Sequence, residues 1–448
     1  MRAAPCSVRD YEAKDGASPR PAVGYDRSMS GPITIFDKSF LQMLNIDEAC
    51  LFGHFYSINM TPIFFVETLS NLAKETKSGT PEQRVGALAA KTANMSVWSN
   101  ALHTDMARSS LEGHPLPIDR RVPAVAHGRS VSDGDKSGLV YRRSDEEEAF
   151  GRWQQGRFDE IERDFAKKWR ESVRSADQTE TYRQFRAFVE SVGKPKALAD
   201  CLGLVNELMD DDKQKDAIMD LALDLSEVPP SRRGRLRNRW FLAGRKKLQM
   251  IAPYAAHLVR VHLFHRIAMG ADLISKDRPS HQTDVAYLNY LPFCMVFVSN
   301  DNLHRDVAPL FMTDSQVFIW GADLKADLAA LGEHYSQLPA DVLETGLYRF
   351  AEAPPDDDRF LTTRLARRFT PGLDLSGRRK PISAEETARV VRELQHVSQL
   401  PTSATETSLD TADFVAKETL MPLRMGKWRI MPPGTENQPQ LPPFRRKG

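Results

Sequence analysis

The chain has 448 residues, more than one compact core usually holds, so two or more structural units with extensions are expected. Hydrophobic residues make up 41% and charged residues 27%, which excludes a wholly disordered or collagen-like chain. With 61 basic against 60 acidic side chains there is no global field to draw the protein onto nucleic acid or an anionic membrane, so any such attraction must be local.

Residues 1–30 are polar, with scattered Pro and Gly and no apolar period, and read as a loose tail without a secretory signal. Cys6, Cys50, Cys201 and Cys294 are far apart and form no CxxC pair, so free thiols in a reducing cytoplasm are expected rather than zinc or disulfides. The run Ile33-Thr34-Ile35-Phe36 is short, apolar and β-branched and stops at Asp37-Lys38-Ser39, a buried strand ending in a turn. Asn45 and Glu48 make a capping-box pattern ahead of Ala49, Leu51, Phe52 and Phe55, a helix. Ile63 to Val66 reads as a second buried strand, followed at once by Glu67 and the helical spacing of Leu69 and Leu72. Strand into helix, twice, points to an α/β unit with parallel strands.

From Arg120 to Met250 no strand is evident. Charges are frequent, and Phe150, Trp153, Phe158, Ile161, Phe165, Trp169 and Val173 recur at helical spacing, a mostly helical insertion with an aromatic packing stripe. Ile251 to Met269 is interrupted by His257, Arg260, His262, His265 and Arg266 and reads as a core helix rather than a membrane span. Those histidines lack Cys or acidic partners at ligand spacing, which favours packing over zinc. The α/β pattern resumes with a helix over Val285 to Leu291, a strand over Phe293 to Val298, a helix over Leu303 to Met312, a strand over Val317 to Trp320 and a helix over Leu324 to Leu331. The expected division is therefore a tail (1–30), a first α/β part (31–119), the helical insertion (120–250), a second α/β part (251–338) and a C-terminal tail (339–448). That tail carries one capped helix, opened by Ser383 and Glu386, before a Pro-rich end.

In an open parallel sheet, ligands gather beyond the carboxyl ends of the strands. Four acids have that address by this reading: Asp37 and Glu67 after the first two strands, Asp284 opening a helix, and Asp301 beyond the strand Phe293 to Val298. A single Asp at a strand end is often a turn residue or a helix cap. Four carboxylates together repel one another and usually imply bound cations, and hard oxygen ligands favour Mg²⁺ or Mn²⁺. Such ions lower the pKa of a bound water and orient it on a phosphodiester.

The segments Ile33-Thr34-Ile35-Phe36-Asp37-Lys38-Ser39, Phe65-Val66-Glu67-Thr68-Leu69, and Asp284 with Tyr287 and Leu288 leading into Met295 to Asp301 resemble, in order and context, the PIN-like nucleases, the domain of toxin ribonucleases and RNA-processing endonucleases. The resemblance covers about Ile33 to Leu102 and Met250 to Leu338 and departs from the family in the long interval between Glu67 and Asp284. It implies a three-layer, Rossmann-like α/β fold. It also implies that Asp37, Glu67, Asp284 and Asp301 bind Mg²⁺ or Mn²⁺ and carry catalysis, with Ser39 and Ser299 as polar support, and that the substrate is nucleic acid, RNA more than DNA. Dimers are common in such proteins, and the extra chain leaves room for an inhibitory or regulatory protein partner; no membrane contact is expected. His304 falls near the site, where it is expected to have no role, and Asp306 reads as a solvated helix residue. A separate, basic feature, Arg232, Arg233, Arg235, Arg237 and Arg239 with Trp240, could track phosphates and stack a base, against the blander reading of a solvated helix face or interdomain contact. Two competing functions are a silent RNA-binding or scaffold protein on the same fold, and a haloacid-dehalogenase-like phosphatase, which expects Asp where Ser39 stands.

Overall fold

The computed structural model describes residues 31–375 except 75–78, 96, 115, 117, 119, 121–122, 125–127, 176 and 279, together with 22–23, 396–397, 399–403, 405, 407, 412–417 and 422–430. The helix expected at Ser383 and Glu386, the Pro-rich end and Cys6 lie outside the described residues. The tail 1–30 is described only at Ala22–Val23, which pairs with Pro123–Ala124.

A five-stranded, all-parallel sheet forms the centre of an α/β fold. Its strands in chain order are β1 (Ile33–Phe36), β2 (Ser57–Met60), β3 (Val97–Ser99), β4 (Val296–Ser299) and β5 (Val317–Trp320). In space they lie in the order β3-β2-β1-β4-β5, with Thr34, Ile35 and Phe36 opposite Val296, Phe297 and Val298. From β1 the chain winds outward to β2 and β3, then returns to the other side of β1 as β4, so the order reverses between β1 and β4.

After β1 come α1 (Lys38–Met43) and α2 (Ile46–Phe55). The α2 helix starts where the sequence placed it: Asn45 Oδ1 accepts the Glu48 N–H at 2.8 Å while Glu48 Oε2 accepts the Asn45 N–H at 2.8 Å. Replacing Asn45 with alanine should therefore cost about 1 kcal/mol, read as a lower urea midpoint with an unchanged slope. Gly31 sits so close to the end of α2 that a Cβ there would meet the Phe55 carbonyl oxygen at 1.8 Å.

The expected strand Ile63 to Val66 is instead a helix, α3 (Pro62–Leu69), with Pro62 in its first turn and Thr61 Oγ1 capping the Phe64 N–H. The strand lies earlier, at Ser57–Met60, and looks polar in sequence because it buries Ser57 and Asn59. Asn59 is satisfied internally: its Nδ2 donates to the Phe293 carbonyl at 2.8 Å, and its Oδ1 accepts from Asn100 at 3.1 Å. A short 3-10 turn (Ser70–Ala73), α4 (Pro81–Ala90), β3 and α5 (His103–Glu112) follow.

The region after residue 120 is not free of strands. Arg129–Asp133 and Lys136–Tyr141 form an antiparallel hairpin turned at Gly134 (φ +60°), and Phe414–Lys417 adds a third, parallel strand. The rest is helical: α6 (Asp145–Gln154), α7 (Glu160–Ser175), α8 (Thr179–Val192), α9 (Leu198–Asp210), α10 (Lys215–Leu225), α11 (Pro230–Leu242), α12 (Leu248–Ile251) and α13 (Pro253–Gly270). Phe150 and Trp153 pack in the core, whereas Ile161 is exposed. Among the described residues no helix is long and apolar enough to cross a membrane. The α13 helix is buried around most of its circumference, and its Tyr254 and Phe264 join one core with Phe36, Phe64 and Phe297 of the sheet domain.

The helix expected at Val285 to Leu291 divides into α14 (Ser280–Ala286) and a 3-10 segment (Tyr287–Phe293) that contains Pro292, and β4 starts at Val296 rather than Phe293. Next come α15 (Asn302–Phe311) and, after β5, α16 (Gly321–Ser336), which packs on α2. Beyond residue 338 the chain is more than linker: Leu347 of the helix Leu347–Phe350, Phe360 and Leu365 at the cap and in the body of the helix Leu361–Phe369, and Trp428 share the same core.

Candidate functional site

Asp37 and Asp301 stand just past the ends of β1 and β4, the neighbouring strands between which the sheet order reverses. Each is also an N-cap: Asp37 Oδ1 accepts the Phe40 N–H at 3.0 Å and Asp301 Oδ1 accepts the Leu303 N–H at 2.7 Å. The bland reading of a strand-end aspartate as a cap thus holds for both, and the capping geometry fixes where each carboxylate points.

Two serines tie these ends together. The Ser39 hydroxyl lies 2.9 and 2.7 Å from the two Asp37 carboxylate oxygens and accepts the Asn300 N–H at 3.3 Å. The Ser299 hydroxyl donates to Asp37 Oδ2 at 2.9 Å and accepts the Asp301 N–H at 3.0 Å. His304 completes the network. Its Nε2 lies 2.7 Å from the Asp284 main-chain oxygen, which can only accept, so Nε2 carries a proton. Its Nδ1 lies 2.8 Å from the Ser299 hydroxyl, whose own proton goes to Asp37, so Nδ1 donates as well. Two donors make His304 an imidazolium, 3.6 Å from Asp37 Oδ2 and 1% exposed. Burial works against both charges. The contact with Asp37 nevertheless holds His304 above its ordinary value, and His304, Phe40 and Ser39 hold Asp37 below its own.

Glu67 lies in the last turn of α3 and not beyond a strand, yet it reaches the same region. Its Oε2 accepts from the Tyr287 hydroxyl at 2.6 Å, and its Oε1 is 3.2 Å from Lys38 Nζ, which also donates to the Glu67 carbonyl at 3.3 Å. Asp284 does not open a helix but sits late in α14. Burial, and then the charges of Asp301, Glu67 and Asp37, push its carboxyl up to about 7 despite the nearby imidazolium. Tyr287 is raised too, by burial and by Glu67, Asp37 and Asp284, and stays a neutral donor. The four acids therefore share one electrostatic neighbourhood.

Sequence reasoning did not foresee that Lys38 balances Glu67 or that His304 balances Asp37. The available signals were Lys38 directly after Asp37 and His304 one turn into the helix that Asp301 caps. Asp306 is on that helix and pairs with its exposed neighbour Arg305.

All four acids offer hard oxygen donors, and the Asn300 Oδ1 beside them is buried with no hydrogen-bond partner. That donor set fits Mg²⁺ or Mn²⁺ better than a softer metal. Among the described residues, no three His, Cys, Asp or Glu side chains close on a single point at ligand distance. The histidines of α13 belong to packing: His257 Nε2 lies 2.9 Å from the Leu288 carbonyl oxygen, and burial pulls it down to about 4. Cys50, Cys201 and Cys294 are free and buried.

The basic run on α11 is mostly used internally. Arg233 pairs with Asp224 at 2.6 Å, Arg237 with Asp220, and Arg232 and Arg235 with Glu112 at 3.8 and 3.5 Å. Arg239 donates to the Leu111 carbonyl at 2.6 Å. Trp240 is 5% exposed, with its Nε1 donating to the Lys246 carbonyl at 2.8 Å, so its ring is not open to a base. The ring of Trp240 is thus packed inside, while the mostly exposed arginines of α11 meet carboxylates and a carbonyl of α5 and α10. Compared with family models, with curated proteins and with solved structures, the chain finds no match.

Proposed function

We propose that the protein is a divalent-cation-dependent nuclease of PIN-like type that hydrolyses phosphodiester bonds, in RNA by preference. The observation that carries this reading is the pair Asp37 and Asp301 at the strand-order reversal between β1 and β4, where open parallel sheets bind ligands, with Glu67 and Asp284 in the same electrostatic neighbourhood. In this reading Asp37, Asp284 and Asp301, with Glu67 and the Asn300 carbonyl, hold Mg²⁺ or Mn²⁺. When bound, the cation supplies an activated water and offsets charge on the leaving oxygen.

The chain's own groups do the positioning. Ser39 and Ser299 orient the Asp37 carboxylate, Tyr287 and Lys38 fix Glu67, and His304 keeps Asp37 ionised in a buried setting. A second reading, a silent RNA-binding protein, draws support from the two acids that already have cationic partners, Glu67 with Lys38 and Asp37 with His304. The phosphatase reading gains nothing, since Ser39 is engaged with Asp37 and no second Asp stands there.

The test is incubation of the protein, and of an Asp37→Asn, Asp301→Asn double variant, with labelled single-stranded RNA, structured RNA and DNA in Mn²⁺, Mg²⁺ or EDTA. Cleavage by the wild type in Mn²⁺ or Mg²⁺ that disappears in EDTA and in the variant is the expected result. Equal inertness of both proteins, with RNA still bound, would favour the silent alternative.

A further inference from the structure

Lys74 is the C-cap of the 3-10 turn Ser70–Ala73, just after the helix that carries Glu67. Two helices pack on that turn, α4 with Arg84 and α7 with Arg170. Burial first, and then the positive charges of Lys38, Arg170 and Arg84, hold the Lys74 ammonium below its ordinary value, while Glu67 pulls the other way. The Lys74, Arg84 and Arg170 side chains have no carboxylate partner among the described residues, and the Arg170 Nε is buried with no hydrogen-bond partner at all. Glu82, two residues before Arg84, is taken by Arg163.

This is unusual for the molecule. Total charge is nearly balanced, and the conspicuous arginines of α11 are almost all matched by carboxylates or main-chain oxygens. Holding cations together without counter-charges costs electrostatic energy that a bound polyanion would relieve. Lys38 joins this patch to the acid cluster, because the same ammonium is 3.2 Å from Glu67.

We propose that Lys74, Arg84 and Arg170 seat consecutive phosphates of a single-stranded polynucleotide and lead the strand past Lys38 into the carboxylate cluster, in place of the arginine run on α11. The assignment rests on the nuclease reading for its direction of travel. Binding to the patch can be measured without any cleavage.

The experiment is fluorescence anisotropy of a short fluorescein-labelled 2′-O-methyl oligouridylate with the full chain, in EDTA, over a series of salt concentrations. The wild type is expected to bind with a salt-dependent affinity. The Lys74→Glu, Arg170→Glu double variant should bind at least about tenfold more weakly, with a log–log salt slope shallower by about 1.4, two single-strand phosphate contacts. Its melting midpoint, measured alongside, separates loss of the patch from loss of the fold. Arg233→Gln with Arg237→Gln should leave both quantities unchanged.

The proposal is overturned by no binding by the wild type, by an unchanged affinity and slope in the Lys74/Arg170 variant, or by loss of binding in the Arg233/Arg237 variant instead. Inorganic phosphate that competes as well as oligonucleotide phosphate would reduce the patch to a lone-anion site and overturn the strand assignment. Binding lost at Lys74 and Arg170 in a protein that never cleaves would keep the patch and remove only the nuclease reading.

Discussion

Replacing His304 with alanine should lower the stability of the fold by roughly 3–5 kcal/mol, the range for breaking a buried ion pair from one side. The carboxylate left behind, Asp37, is 5% exposed and would keep only its hydrogen bonds to Ser39, Ser299 and the Phe40 N–H. The loss should depend on pH in a definite sense. Asp37, held below its ordinary 3.8, contributes stability that is present above that value and lost as pH falls through the lower folded value. His304, held above its ordinary 6.5, contributes stability that is complete below 6.5 and lost as pH rises through the higher folded value. The gap between wild type and variant should therefore be widest from about pH 4 to 6.5 and close on the alkaline side. Urea midpoints across that range measure it, and Asp37→Asn in the His304→Ala background should cost little more. Full additivity of the two substitutions, or a gap that is flat with pH, would mean that His304 is neutral and merely fills space.

How much of this was legible depended on what each segment does with its polar groups. The strand Ile33–Phe36 and the strand Val317–Trp320 were readable because short apolar runs end there at turn or helix signals, and Asn45 with Glu48 announced α2. Ser57–Met60 was hidden by its buried, internally satisfied Asn59, while Ile63 to Val66, apolar on every side of a buried helix, imitated a strand; periodicity alone does not separate these cases. The reversal of strand order, and with it the meeting of Asp37 and Asp301, is a property of tertiary winding that no local pattern encodes. The acids were legible as candidates, but their counter-charges were not. Lys38 meets Glu67 across 29 positions and His304 meets Asp37 across more than two hundred, separations at which sequence spacing says nothing about contact. The partners of the arginine run on α11 were hidden for the same reason, since Glu112, Asp220 and Asp224 come from other helices.

Asp284→Asn should make the protein more stable, not less, at neutral and alkaline pH. A carboxyl raised from 3.8 to about 7 is one whose charged form the fold disfavours, by burial first and by three neighbouring carboxylates next. Its sign is the reverse of the Asp37 case: between 3.8 and 7 the unfolded chain gives up this proton more readily than the folded one, so stability falls as pH rises through that window. Above pH 7 the penalty is complete, on the order of 2–4 kcal/mol after allowing for partial solvent exposure, and below the ordinary carboxylate value it vanishes. Melting of wild type and variant at pH 4 and pH 8 reads this directly, with coincident curves at pH 4 and a higher midpoint for the variant at pH 8. Mn²⁺ or Mg²⁺ should then raise the wild-type midpoint at pH 8 and raise that of the variant less, because a cation relieves the same repulsion that the amide removes. A variant that melts lower than wild type at pH 8 would mean that Asp284 has a stabilising partner. A wild type indifferent to both cations would detach the carboxylate cluster from metal binding while leaving its electrostatic crowding intact.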